Sequence, residues 1–396
     1  MNQRRTFLKA SALISMSPLV PGFIDRTAFG QEPDVDKPII VVVEMNGGND
    51  GLNTVVPFGQ RGYRKARPRI RIDKDQILKI DDEVGLNPAM VGFKELYDDG
   101  SLAIINSVGY PNPNRSHFES MAIWHSADLK GTRANGNGWL GQYLDESVPQ
   151  ERIDLDGWFV GAGPVPPALV NRRSQIASVE RLQELQFRSL ATAKRASQLG
   201  TTGTDVGSFV SRCMTNSFAS AEQLDSLMKS KATDVRFPAT ALGKKLSIVS
   251  RLIRSGAASR TYYTIQAGYD THANQLGSHA NLLSELTSSV KAFVDDLKQA
   301  KLDQQVVVLA FSEFGRRVEE NQSQGTDHGT AGPVFVTGTN VKGGLYGEVP
   351  DLSNLEQGDL KVKLDFRQVY STLLDKWLKV PSEKVLKKKY ESLEFV

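Results

Sequence analysis

The sequence predicts an α/β domain with a mostly parallel central sheet flanked by helices, and three features carry that prediction. Residues 38–44 form a continuous, β-branched apolar run, the pattern of a central strand covered on both faces. Strand-like and helix-like stretches then alternate in a βαβ rhythm, which builds parallel sheets with helices packed on their faces. Finally, nearly every unusual polar cluster follows directly on a predicted strand, and open parallel sheets bind ligands outside the carboxyl ends of their strands.

The elements follow in order. After the strand 38–44 and a glycine-rich loop, Asn87 to Asp99 reads as a helix, with Asn87 as cap, Pro88 at the first position and Gly100 closing it. Leu102 to Val108 reads as a second buried strand. From about Ser178 to Lys245 the strand signals fade, and polar, alanine-rich stretches such as Val179 to Ala196 and Phe209 to Met228 predict a helical insertion or cap. The sheet resumes with Thr261 to Ala267, a helix over Leu276 to Lys301, strands over Gln305 to Phe311 and Pro333 to Thr337, and a last helix over Phe366 to Leu378. A length of 396 residues suits one such domain with an insertion. Apolar residues at 40% and charged residues at 23% exclude disordered and fibrous classes.

The N-terminus reads as an export signal over residues 1–30: a basic start, an apolar stretch from Ala10 to Val20, and small residues at Ala28 and Gly30. Arg4-Arg5-Thr6-Phe7-Leu8-Lys9 fits the twin-arginine pattern, so the twin-arginine translocase is the expected export partner and the periplasm or exterior the destination. The apolar stretch is shorter than the roughly 20 residues that span a bilayer, so the mature part is expected to have no transmembrane span. An uncleaved signal would leave a tether. Removing this segment takes away four basic residues and one acid, which leaves 44 of each sign. A neutral mature domain carries no electrostatic case for nucleic acid. Cys213 is the only cysteine, so no intrachain disulfide can form. Export in the folded state suits a protein that takes up a metal or cofactor before crossing.

Four clusters could carry chemistry. In Asn46-Gly47-Gly48-Asn49-Asp50-Gly51-Leu52-Asn53 the glycines permit turns that bring Asp50 to a ligand, although Asn, Asp and Gly also make ordinary turns. The run has neither the Lys-Ser/Thr end of a P-loop nor the G-x-G-x-x-G pattern. In Tyr110-Pro111-Asn112-Pro113-Asn114-Arg115-Ser116-His117-Phe118-Glu119, Ser116 stands where a helix start favours an attacking oxygen and a bound anion, with Arg115 as a clamp; it would equally serve as a helix cap. Asp270 and His272, two apart in a loop, are metal-ligand types or a structural pair. Glu313 ends an apolar strand and needs a partner or cation, which Arg316 or a metal would supply, and Asp327-His328 adds two further ligands. His125 and His279 read as structural.

Taken in order, these motifs resemble domain of unknown function 1501, a family of twin-arginine-exported proteins in the alkaline-phosphatase-like superfamily, and the likeness extends through Gly343-Gly344-Leu345-Tyr346-Gly347. The resemblance implies an alkaline-phosphatase-like fold, a serine nucleophile at Ser116, and metal ligands at Asp50, Asp270, His272, Glu313 and His328. One departure stands out: Glu313-Phe314 occupies the place of an Asp-His pair, so one histidine ligand is missing and Asp327 or His117 would have to substitute. Pro111 to Arg115 matches the tail of the sulfatase motif C/S-x-P-x-R, yet Pro111 at its head excludes formylglycine chemistry there. The expected protein is therefore a metal-dependent hydrolase of phosphate or sulfate esters. It would use one or two divalent ions (zinc, manganese or calcium), with Arg115, His117 and Arg316 assisting Ser116. A catalytically degenerate envelope protein that binds a glycan or protein partner is the alternative.

Overall fold

The computed structural model describes residues 37–130, 137–147, 156–170, 176–180, 233–257 and 259–396. The main sheet holds β1 (Ile39–Asn46), β2 (Leu102–Gly109), β3 (Gly157–Val160), β4 (Ile176–Val179), β5 (Thr261–Ala267), β6 (Val306–Phe311), β7 (Gly332–Thr337), β8 (Gly344–Tyr346) and β9 (Leu364–Asp365). Its order is β8-β2-β7-β6-β1-β5-β3-β4, with β9 also on β2. β1 lies between β5 and β6 and runs parallel to both. β7 alone among these strands runs antiparallel to its neighbours β2 and β6. The mostly parallel sheet is therefore as the sequence predicts.

The unbroken apolar run of β1 is explained by burial on two faces. Ile39, Val41, Val43 and Met45 enter one core with helices α1 (Val91–Asp98), α4 (Ala241–Arg254) and α5 (Gln275–Ala300). Ile40 and Val42 enter a second core with α2 (His117–Ser126), α3 (Trp139–Ser147) and α6 (Phe366–Thr372). Successive strand residues face opposite sides, so a strand between two helical layers can afford no polar alternation.

Two expectations need correction. The helix placed at Asn87 starts at Val91 instead, because the Asn87 side chain accepts from the backbone N–H of Ala89 and closes a turn there. The expected insertion begins too early at Ser178, because β4 continues to Val179 beside β3. At its far end, α4 already packs in the first core from Leu242 onward. The helices expected over Val179 to Ala196 and Phe209 to Met228 lie, beyond Glu180, outside the described residues.

Topology places the polar clusters. The loops after β1, β2, β5 and β6 leave from the carboxyl edge of the sheet. β7 runs the other way, so the loop leading into it arrives at that same edge. Arg316 and His328 then face each other in an antiparallel bridge that extends the β6–β7 pair. Gly329 permits this approach, since a Cβ there would lie 2.4 Å from the Arg316 carbonyl carbon. Among the described residues no helix is long and apolar enough to cross a membrane.

Candidate metal centre

Asp270 is the hub of the edge. Its Oδ1 lies 2.9 Å from His272 Nε2, 3.2 Å from His328 Nε2, 3.4 Å from His117 Nε2 and 2.6 Å from the Arg316 guanidinium. Ligand atoms of His117, Asp270 and His328 all fall within 4.8 Å of one another, and His272 Nε2 joins them 2.9 Å from His328 Nε2. Two loops, the one after β5 and the one between β6 and β7, and the first turn of α2 supply these groups.

Each outer nitrogen meets an oxygen acceptor. His117 Nδ1 is 2.7 Å from Glu313 Oε1, His272 Nδ1 is 3.3 Å from Asp327 Oδ1, and His328 Nδ1 is 2.8 Å from the Arg115 carbonyl. Carboxylates and carbonyls only accept, so the proton that a neutral imidazole keeps when it ligates an ion has its place on each Nδ1, with each Nε2 pointing inward. An oxygen acceptor behind each imidazole is the usual support for a metal-binding histidine. Two observations show that the set fits a cation. His117 Nε2 is buried without a hydrogen-bond partner, and Nε2 of His272 and Nε2 of His328 lie 2.9 Å apart, where two lone pairs would repel. Both defects disappear if a positive centre sits between them.

The charges are tuned accordingly. Burial would raise the Asp270 pKa, but hydrogen bonds from Arg316 and His328 and the Arg316 charge outweigh it and hold the carboxyl at about 2. The hydrogen bond to Glu313 raises His117, and the hydrogen bond from Asn321 lowers Asp327.

The six acids and histidines singled out as ligands divide into three groups. Asp270, His272 and His328 converge, joined by His117. Glu313 and Asp327 stand one layer behind: Glu313 accepts from His117, Ser312 and the Gly47 N–H, and Asp327 accepts from His272 and Asn321. Asp50 is set apart. Its buried carboxylate pairs with Arg67 at 2.6 Å and accepts from Gln275, and it also receives the Asn53 N–H at 3.4 Å.

The other chemistry residues also find definite places. Ser116 occupies the cap position of α2, and its hydroxyl makes no capping hydrogen bond, which leaves its role as a cap unfilled. The Arg115 side chain turns to Asp359, away from the cluster. His125 and His279 sit in the core behind the edge, against Glu44 at 2.8 Å and Asn49 at 2.9 Å, and burial lowers His279 to about 4. Arg67, Gln275 and Asn321 escaped sequence reading. Gln275, which closes the Asp270-His272 cluster, and Asn321, six residues before Asp327, each stood near a motif that could have drawn attention to them.

Glu313→Gln tests the supporting layer. The amide keeps the size of the side chain and loses its charge, so divalent-metal affinity is expected to fall about 10–100-fold. Competition against a metallochromic chelator reads this out, and undiminished affinity would remove Glu313 from the site's architecture.

Fold and cluster together define an α/β protein with a candidate His/Asp metal site at the carboxyl edge of a mostly parallel sheet. Residues 37–388 match the family described as protein of unknown function DUF1501, and the chain belongs to that family. No curated protein matches it in sequence. Among solved structures it is similar to the PsFucS1 sulfatase from Pseudoalteromonas sp., with 11% identity, 94% of this chain and 74% of that one covered, and a TM-score of 0.43. It is similar also to a protein in the alkaline phosphatase superfamily from Vibrio parahaemolyticus, with 10% identity, coverage of 98% and 79%, and a TM-score of 0.41. A third is the C-terminal periplasmic domain of EcEptC from Escherichia coli in complex with Zn, with 11% identity, coverage of 78% and 75%, and a TM-score of 0.37.

Proposed function

We propose that the protein is a metal-dependent hydrolase of phosphate or sulfate esters that works outside the cytoplasm after twin-arginine export. The observation that carries this reading is the convergence of three inward-facing imidazole nitrogens on the ionised Asp270 carboxylate. His117, Asp270, His272 and His328 would hold the ion. An imidazole-rich set favours zinc over calcium, which prefers oxygen ligands throughout. The ion, when bound, would polarise an ester oxygen and offset its negative charge.

The chain's own residues supply the rest. Ser116 immediately precedes His117 at the start of α2, a ten-residue helix whose positive end favours an anionic group. Its hydroxyl oxygen would form the new bond to phosphorus or sulfur as the ester oxygen leaves, and water would then release the acid and restore the serine. A cleft of about 970 Å³ is lined by Tyr110, Asn112, Asn114, Arg115 and Thr330 among others, residues that precede Ser116 and follow His328 in the chain. Arg115 contributes its carbonyl, which fixes the His328 ring.

One observation favours the second reading, a binding protein that retains the fold without turnover. The Arg115 guanidinium, the natural anion clamp, is engaged by Asp359. Metal analysis of the exported protein, followed by phosphomonoester, phosphodiester and sulfate-ester substrates on the wild type and Ser116→Ala, separates the two. Turnover at least about 100-fold slower in the variant is expected from the loss of a nucleophile. Equal turnover by both proteins removes Ser116 from the chemistry, and metal binding without turnover of any ester establishes the binding reading.

A further inference from the structure

Arg316 ends in an environment built of oxygen. Its Nε donates to the Gly48 carbonyl at 2.6 Å, Nη1 to the Thr326 carbonyl at 2.8 Å, and Nη2 to the carbonyls of Gly47 and Tyr269 and to Asp270 Oδ1 at 2.6 Å. Four carbonyls and one carboxylate, shared among the three nitrogens, surround a fully buried positive charge with oxygen, the ligand type that hard divalent cations take. With Nη1 also 3.4 Å from His272 Nε2, every N–H of the guanidinium is directed at the protein, and none is left to bind a substrate oxygen. Two glycines make the cage possible. Gly47 and Gly48 have φ of 122° and 72°, and a Cβ would lie 2.5 Å from Asp270 N at the first and 2.3 Å from the Phe314 ring at the second.

The remaining acids of the edge are equally committed. Asp50 is neutralised by Arg67, whose other donors go to Asn53 Oδ1 at 2.8 Å and to the carbonyls of Val318 and Arg317 at 3.0 Å each. Glu313 and Asp327 spend their oxygens on His117 and His272. Among the described residues only one group of three metal-ligating side chains comes together, that of His117, Asp270 and His328.

We propose that Arg316 is a built-in cation standing where a second ion would sit, so that the centre takes one exchangeable divalent ion and Asp270 is shared between that ion and the guanidinium. The inference rests on the metal-centre reading above and adds the number of ions and the reason for it. It also reassigns Arg316, expected to assist Ser116, to positioning Asp270 and supplying fixed positive charge beside it.

Titration of chelator-stripped protein with Co²⁺, followed by absorbance, and with Zn²⁺, followed by calorimetry, tests this without reference to activity. One equivalent per chain is the expected end point. Two equivalents on the wild type overturn the inference while leaving a metal centre in place, and no binding at all overturns the metal-centre reading itself. Arg316→Ala, checked for folding by circular dichroism, empties the oxygen cage and is expected to take a second equivalent, tested with Mn²⁺ because oxygen ligands suit it. A folded variant that still stops at one equivalent shows that the guanidinium does not stand in an ion's place. If that variant does not fold, the wild-type end point decides.

Discussion

Asp270→Asn is expected to weaken divalent-metal binding by at least about 100-fold, because supporting residues alone are worth about 10–100-fold and Asp270 touches every member of the cluster. The carboxylate oxygen Oδ1 is the common neighbour of His117, His272, His328 and Arg316. Its pKa of about 2 keeps it ionised at neutral pH. The amide has nearly the same shape and no charge, so the three imidazoles lose the anion that offsets a bound cation. Folding without metal should suffer little by comparison. The Asp270 side chain is about half exposed, and Arg316 keeps its four carbonyl partners when the carboxylate goes. Thermal unfolding of the stripped protein, set beside a Co²⁺ titration, separates the two effects. A variant that binds metal as tightly as the wild type would show that the imidazoles converge for some other reason.

The edge of the sheet was legible because its causes are local. A β-branched run flanked by helical patterns fixes a covered strand, and a polar cluster immediately after such a strand can only emerge at its carboxyl end. That logic located Asp270, His272 and His328 correctly relative to one another. It could not rank the acids. Glu313 and Asp327 stand on the far side of the His117 and His272 rings, and only the folded positions of those rings decide whether a carboxylate faces the centre or meets an outer nitrogen. His117, read as an assistant to Ser116 and, with Asp327, as a substitute for the missing histidine ligand, reaches the centre from the first position of α2, directly after Ser116 at the cap. The helix start was missed at Asn87 for a related reason. Asn and Pro favour turns and helix starts alike, and which they make depends on the strand end they must leave.

Arg67 is the clearest omission, since nothing around it in sequence distinguishes it from the exposed arginines at 64 and 69 or the half-buried one at 71, yet it is wholly buried against Asp50. Arg67→Ala is expected to cost about 3–5 kcal/mol at neutral pH, the usual penalty for stripping one member of a buried ion pair. Replacing both partners, as in Asp50→Leu with Arg67→Met, should recover most of that loss, because the expense lies in the unpaired charge rather than in the absence of the pair. The pH dependence gives a second signature. Burial acts to raise the Asp50 pKa, but the Arg67 charge and hydrogen bond outweigh it and leave it lowered. A lowered carboxyl stabilises the fold fully above its unfolded pKa of about 3.9, and that contribution disappears as pH falls through the folded value. In Arg67→Ala burial acts without that opposing charge, the Asp50 pKa rises above the unfolded one, and the carboxyl takes up a proton while still folded. The stability gap between wild type and variant should therefore be widest near neutrality, begin to shrink as the pH falls through the variant's raised Asp50 pKa, and go on shrinking below about 3.9 as the wild type loses its own contribution. Urea midpoints measured across that range read the gap directly, and a gap that stayed constant with pH would mean that Asp50 is not the charge that Arg67 answers.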